Sequence, residues 1–587
     1  MIQKSTENNP RGGQLLARAV HDKGIRHVFT LAGGFCNPAL EGFMECQIPV
    51  VNCPHEQVAG HLADGHARLT REPSVCLVGP EGFANAVPAM MEAWGERSPV
   101  IFVTGSSTMK RAGAGGFKEI DDVAIAAPLC KYSISVTDGA RIPELLDRAY
   151  RIATSGYPGP VHLSIPVDIM FSTFDSSVEQ AERPFHRLPA SGRQAPRAWP
   201  EPEILEQTLA LIAGASRPML IGGHGVWWGQ AEDKLAQVAA SLNLPVFNVP
   251  YHQKLLAETA TAYMGLADVH QYAPSRDAFN EADVIVVLGG RLDNQMNFGN
   301  PPLFPAAAKL VCINASFEEI EFNRAADHLL LSDINAFLDA LGGLAGSSRW
   351  SLSNDWIELN RQRRHDWVAQ SKKELATTLA SDDWNETDIH PLQLSLSVQA
   401  AMQDDDWLVF DGGNTHFWSE IAVNMTGSDG LSLGGVMHPG SYSLLGVGVS
   451  FALSAKRLDP KRRVVLISGD GAFLSGGLSI ETAFQEKLPI VVVVDNNGGL
   501  DCISQQQERL FDNGEHFATD FRDIPFHGLF EGMGGYGELV DRPEDIEPAV
   551  RRALASGKPA CINVRARGVI SPIVAATSDK RDKASIE

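Results

Sequence analysis

The chain has 587 residues, 44% of them hydrophobic and 20% charged, with a formal net charge of −22 from 71 acidic and 49 basic side chains. That length exceeds a single hydrophobic core and implies about three to four globular domains. The acidic excess, with no basic run interleaved with aromatics, argues against a nucleic-acid partner, and no apolar stretch approaches the ~20 residues of a membrane helix.

In chain order, the N-terminus MIQKSTENNPRGGQ has no apolar segment of the secretory kind. Apolar runs at His27–Leu31, Ser74–Val78 and Pro99–Thr104 read as buried strands, and Glu56–Leu69 as a helix between them. Gly159–Pro166 adds a further strand to this alternating unit. Alternation of this kind implies a parallel sheet covered on both faces. A Pro-, Ser- and Arg-rich stretch from about Phe171 to Pro202 reads as a linker. Strands at Arg217–Gly223, Ala282–Gly290 and Leu310–Asn314 then build a second unit, which ends near Leu344. Ala345–Asp388, with Trp350, Trp356 and Trp367 among charges, reads as a connection with helical character. The last unit, Ile389–Val569, contains strands at Asp406–Phe410, Arg463–Ser468 and Ile490–Asp495. The expected fold is α/β, with three doubly wound parallel-sheet domains over residues 1–185, 190–345 and 375–575. The eight cysteines form no CxxC pair, so the expectation is a reduced, cytoplasmic protein with no zinc site signalled by its thiols.

The densest chemistry lies in Gly469-Asp470-Gly471 and Asn496-Asn497. Asp470 and Asn497 each follow a buried strand and stand 27 residues apart, the length of one strand–helix–strand crossover. Both side chains therefore reach the same sheet edge, where open α/β sheets bind ligands. A carboxylate and an amide oxygen suit Mg²⁺, which takes oxygen donors and shares them with phosphate.

The stretch GDGAFLSGGLSIETAFQEKLPIVVVVDNNGG resembles the thiamine diphosphate motif, and the resemblance covers about Leu15 to Val569. It is closest to acetohydroxyacid synthases and looser to oxalyl-CoA decarboxylase and 2-hydroxyacyl-CoA lyase. The three domains would then be the pyrimidine-binding, central and diphosphate-binding domains. The resemblance implies that Asp470, Asn497 and the Gly499 carbonyl hold Mg²⁺, and that Gly469, Gly471 and Ala472 flank the diphosphate. Asn414 and Thr415, in DGGNTHFW, match a loop contacting that diphosphate. Leu445 matches the apolar residue propping the bent cofactor, and the Ser443 carbonyl the acceptor of its 4′-amine. Ser479 and Asp501 depart from the acetohydroxyacid synthase pattern, which has Glu and Gly there.

Thiamine catalysis needs a carboxyl hydrogen-bonded to N1′ of the pyrimidine, and VNCPHEQVAGHLADGHAR matches the family segment that supplies it. Glu56 is the implied acid, with His66 replacing a family tyrosine. Gly33-Gly34 resembles the glycine turn facing the reacting carbons. Asn85 closes GPEGFAN, which is similar to a family loop but carries one extra residue. Phe117-Lys118-Glu119-Ile120-Asp121 resembles an acetohydroxyacid synthase stretch, with Lys118 replacing glutamine. Lys118 offers an ammonium to an anionic substrate or stands solvated; His55 either shuttles protons or is structural. Lys131 also matches a family lysine. In relatives the central domain holds FAD or ADP, and the turns Gly222–Gly225 and Gly289–Asp293 leave FAD open here. Since the acid of one subunit reaches the cofactor of another in this family, a homodimer or homotetramer is implied.

Three readings follow. One is decarboxylation and carboligation of small 2-oxo acids. The second is cleavage of 2-hydroxyacyl-CoA, hydroxyketone or diketone substrates. The third is a thiamine diphosphate-binding partner protein without turnover.

Overall fold

A computed structural model describes residues 9–174, 197–249, 254–320 and 323–578. Three six-stranded sheets organise the chain, and every pairing within them is parallel. The first contains β1 (Val28–Thr30), β2 (Val50–Asn52), β3 (Ser74–Val78), β4 (Val100–Ser106), β5 (Tyr132–Ser135) and β6 (Val161–Pro166). The second contains β7 (Pro218–Gly222), β8 (Val246–Asn248), β9 (Tyr263–Leu266), β10 (Val284–Leu288), β11 (Lys309–Asn314) and β12 (His328–Leu331). The third contains β13 (Trp407–Asp411), β14 (Gly435–Met437), β15 (Val464–Gly469), β16 (Val491–Asn496), β17 (Tyr536–Val540) and β18 (Ala560–Arg565). The fold class read from alternating strands and helices is the one observed.

Parallel strands covered on both faces need apolar residues at every position, and alternate residues must face opposite cores. The second sheet shows this plainly. Val284, Val286 and Leu288 of β10 join one buried cluster, while Ile285 and Val287 join the other. The stretch read as a connection does more than link. It forms the helix Asp355–Leu379, and buried Trp356 donates its indole N–H to the Pro218 carbonyl of the second sheet at 2.9 Å. The linker read at Phe171–Pro202 lies largely outside the described residues, and the helix Pro202–Ala213 begins at its far end.

Strand order fixes where ligands go. It is β2-β1-β3-β4-β6-β5 in the first sheet and β14-β13-β15-β16-β18-β17 in the third. In both, the chain leaves its first strand in one direction and its third in the other. A crevice therefore opens at the carboxyl ends of β1/β3 and of β13/β15. The second sheet, β12-β11-β10-β7-β8-β9, reverses between β7 and β10.

Contacts among the described residues divide the chain into two compact units. One is drawn from 1–196, 440–458 and 478–486, and the other from 197–439, 459–477 and 487–587. No described helix is long and apolar enough to cross a membrane. All eight cysteines are free.

Candidate active site

At the edge of the first sheet, β2 ends at Asn52 and the helix Glu56–Thr70 begins four residues later. His55 caps that helix, its Nδ1 accepting from the Gln57 N–H at 3.1 Å. An acidic residue in the first turn suits the helix dipole, and Glu56 is buried there, 8% exposed. Its Oε2 accepts from Asn85 Nδ2 at 3.0 Å. Asn85 lies on the helix Pro80–Gly95, which follows β3. Gly82 on the same helix has no room for a side chain: a Cβ would lie 2.7 Å from Glu56 Cγ and 2.8 Å from Oε1. Gly33, after β1, adjoins Gly79, after β3, at the crevice. The structure thus brings Glu56 and Asn85 together, sets Gly33 at the same sheet edge, and leaves Gly34 and His55 exposed.

Lys118 is an exposed loop residue with φ +59, and its ammonium pairs with Glu81. The ring of Phe117, 74% exposed, lies 5.1 Å from that ammonium and the ring of Phe35 6.0 Å. Partial burial would raise the Glu81 carboxyl, but the Lys118 ammonium holds it below the ordinary range. GPEGFAN, read from the sequence as a loop, opens the helix Pro80–Gly95 instead, and Glu81 in its first turn supplies a counter-ion that the sequence had not connected to Lys118. Lys131 is used structurally, donating to the carbonyls of Ser155 and Tyr157 at 2.7 and 2.6 Å.

Residues 440–458 pack in this same unit. Glu92 Oε1 accepts the Gly440 N–H at 2.6 Å, and Glu96 Oε1 accepts the Ser441 N–H at 2.7 Å. Arg68, 2% exposed, bridges Asp64 at 2.6 Å and Glu92 at 3.1 Å. Its guanidinium lies 4.7 Å from the Phe451 ring. Burial pushes the Glu92 carboxyl up to about 7, against the pull of Arg68. This lattice holds a loop in which Ser443 takes φ +53 and Leu445 is 37% exposed. Leu445 is therefore no core leucine. Glu92 and Glu96 had no motif to mark them.

The third sheet presents the other half of the chemistry. Asp470 opens a helix directly after β15 and is 2% exposed. Its Oδ1 accepts the Gly471 N–H at 2.6 Å, and Oδ2 accepts those of Gly498 and Gly499 at 2.8 and 3.0 Å. Gly498 takes φ +84, a turn conformation that favours glycine. Asn497 Oδ1 is buried and accepts no hydrogen bond from the described residues. Burial pushes Asp470 up to about 6 and Asp495 up to about 7, and it raises Asp501. Three carboxyls that resist ionisation beside an unsatisfied amide oxygen make a pocket short of positive charge. Its oxygen-only donors fit Mg²⁺. Gly412, φ +123, approaches Gly469 across the β13/β15 crevice, where a Cβ on Gly412 would lie 3.2 Å from the Gly469 nitrogen.

Asn414 and Thr415 begin the helix Asn414–Ser428, the kind of terminus that faces phosphate. Their side chains are already engaged. Asn414 Nδ2 donates to Asp501 Oδ2 at 2.9 Å, and Thr415 Oγ1 donates to Asp495 Oδ2 at 2.8 Å. Asp501, the departure from the family glycine, thus has a structural use. Asp495 was missed; its signal was a carboxylate ending a run of buried valines. In the second sheet the glycine turns press together, Gly225 N–H donating to the Gly289 carbonyl at 2.8 Å. A Cβ on Gly223 would lie 2.5 Å from Gly290 Cα.

Three family models match the chain. The thiamine pyrophosphate enzyme N-terminal TPP binding domain matches residues 10–125, the central domain 205–341 and the C-terminal TPP binding domain 411–564. A probable acetolactate synthase of Mycobacterium bovis is 30% identical over 95% of this chain and 97% of its own. A 2-hydroxyacyl-CoA lyase of Arabidopsis thaliana is 26% identical over 99% of both chains. A probable acetolactate synthase large subunit of Methanocaldococcus jannaschii is 25% identical over 94% of this chain and 91% of its own.

Proposed function

The chain belongs to the thiamine pyrophosphate enzymes and depends on thiamine diphosphate, and on that premise we propose that it decarboxylates a small 2-oxo acid and transfers the remaining acyl unit to an acceptor carbonyl. The observation that carries this reading is the buried Glu56 carboxylate, oriented by Asn85 and made room for by Gly82.

When bound, thiamine diphosphate supplies the electron sink for a carbon–carbon bond next to a carbonyl. Glu56 would hold the proton at N1′ of the pyrimidine, its carboxyl kept in place by the Asn85 hydrogen bond. Asp470, Asn497 and the Gly499 carbonyl would share Mg²⁺ with the diphosphate. Ser443 and Leu445 would meet the pyrimidine from the anchored loop, and Gly33 and Gly34 would leave space beside the reacting carbons. Phe35, Phe117 and Lys118 supply an apolar wall with one cation, which suits a small carboxylate. We further propose that two chains complete each site, the acid of one serving the cofactor of the other, and that the enzyme works in the cytoplasm.

A second reading rests on Glu81. By neutralising Lys118 it suits an uncharged carbonyl or a long acyl-CoA whose anionic groups lie elsewhere. The test is turnover of the Mg²⁺- and thiamine diphosphate-loaded enzyme on 2-oxo acids, diketones and 2-hydroxyacyl-CoAs, followed by mass spectrometry. Carbon dioxide release with a carboligated product supports the first reading. Activity confined to acyl-CoA or diketone substrates replaces it with the second.

A further inference from the structure

We propose that His416, Glu420 and His438 form a buried transition-metal site of the zinc type, separate from the Mg²⁺ pocket. His416 and Glu420 stand four apart on the helix Asn414–Ser428, so both project from one face. His438 follows directly after β14, the neighbour of the strand that leads into this helix. All three are buried, at 1%, 5% and 5% exposure. One candidate ligand atom from each lies within 4.8 Å of the others. A tetrahedral zinc site has ligand edges of roughly 3.3 Å, given its zinc–nitrogen distances, so small side-chain rotations would close the set on an ion.

The surroundings are those that metal ligands need. His438 Nδ1 stands 2.8 Å from the Pro439 carbonyl, which can accept only a proton carried on Nδ1. Outer-sphere carbonyls hold ligating histidines in this way, so Nε2 is the nitrogen that a metal would take. Glu420 Oε2 accepts from Gln271 Nε2 at 2.8 Å, and Oε1 lies 3.4 Å from His416 Nε2. Phe410 stacks on both imidazoles, with centroids 5.9 Å from His416 and 6.4 Å from His438, and shields the cluster on that side.

Charge and space point the same way. Glu420 is buried near Asp268, itself 1% exposed, so two carboxyls share a dry region. A cavity of about 40 Å³ adjoins Glu420 and His438 and is lined also by Phe410, Tyr263, Asn424 and Lys254. It has room for the water that fills a fourth position beside three protein ligands. Two imidazoles and one carboxylate select zinc-like ions over Mg²⁺, which prefers oxygen throughout. The scattered cysteines gave no hint of this, because the ligands are not thiols. A metal here would tie the helix that starts at Asn414 and Thr415 to the residue just ahead of the loop 440–446.

The test uses the full chain saturated with thiamine diphosphate and Mg²⁺, stripped of transition metals by a chelator and titrated with Co²⁺. Zinc content after equilibrium dialysis is measured in parallel. The expected result is one equivalent of Co²⁺ per chain with the intense visible bands of low-coordinate cobalt. Affinity falls roughly tenfold or more in His438→Gln and Glu420→Gln and is retained in Asp470→Asn. The assignment is overturned if the wild type takes up no Co²⁺ or Zn²⁺, as a plain His–Glu hydrogen-bond network would. It is also overturned if Asp470→Asn abolishes uptake, or if folded variants, checked by circular dichroism, bind as the wild type does. Should the variants not fold, the wild-type cobalt spectrum decides alone: six-oxygen bands would overturn the site.

Discussion

Asn85 donates its side-chain amide to Glu56 Oε2 over 3.0 Å, joining the helices that follow β3 and β2. If Glu56 manages the proton at N1′, Glu56→Gln should lower kcat by about 10²–10⁴ with cofactor affinity largely kept. Asn85→Ala removes one hydrogen bond to a charged group, worth about 1.5–3 kcal/mol, and should cost about tenfold to a hundredfold. Steady-state kinetics with calorimetric cofactor binding check both. Unchanged turnover in Glu56→Gln would remove the acid from the mechanism.

Gly82→Ala tests the same carboxyl by crowding. Its new Cβ would fall 2.8 Å from Glu56 Oε1, so the carboxylate must shift. Displacement of a reacting group by about 1 Å can cost about 10²-fold. The expected outcome is a large loss of kcat, with Mg²⁺-dependent cofactor binding close to wild type.

The Mg²⁺ assignment is checked by calorimetry. Asp470→Ala and Asn497→Ala should each weaken Mg²⁺-dependent uptake of thiamine diphosphate by at least roughly tenfold, since each removes one oxygen donor. Wild-type uptake in Asp470→Ala would place the ion elsewhere.

Lys118 and Glu81 make an exposed pair, and such pairs are worth about 0–1 kcal/mol. Glu81→Gln should free the ammonium and lower KM for an anionic 2-oxo acid by up to about fivefold, while Lys118→Met should raise it. Parallel assays on an uncharged diketone should show neither shift. Equal shifts for both substrates would mean that the pair only shapes the loop.

Glu92 gives the fold a pH dependence. Its carboxyl, among Arg68, Asp64 and Glu96, is raised to about 7 from an ordinary 4.5. The native state therefore binds a proton that the unfolded state has released within that window. Stability contributed by this group is present below about 4.5 and is lost as pH rises towards about 7, with no further change above. Denaturant titrations across the window, compared with Glu92→Gln, should show the wild-type slope flattened in the variant.

The sheets were legible because strands buried on both faces must be apolar throughout, and Val491–Val494 is such a run. Asp470 and Asn497 were legible because one crossover separates them. Other features depend on partners remote in sequence. The Gly440 N–H finds Glu92 across 348 residues, and no local pattern announces it. The charge of Lys118 was visible, but its pairing with Glu81 requires the fold. The helix Asp355–Leu379 carries charges along much of its length, so its buried Trp356 did not stand out as a packing residue. The His416, Glu420 and His438 cluster was hidden because only two of its members share a helix.

The first and third sheets have the same strand order when each is counted from its own first strand, and the second does not. A shared winding opens the crevice at the same place in both sheets, outside the carboxyl ends of the first and third strands. One sheet carries its acid after its second strand, Glu56. The other carries its acid after its third, Asp470. One topology thus offers two addresses for a carboxylate, and the sequence decides which strand end is used.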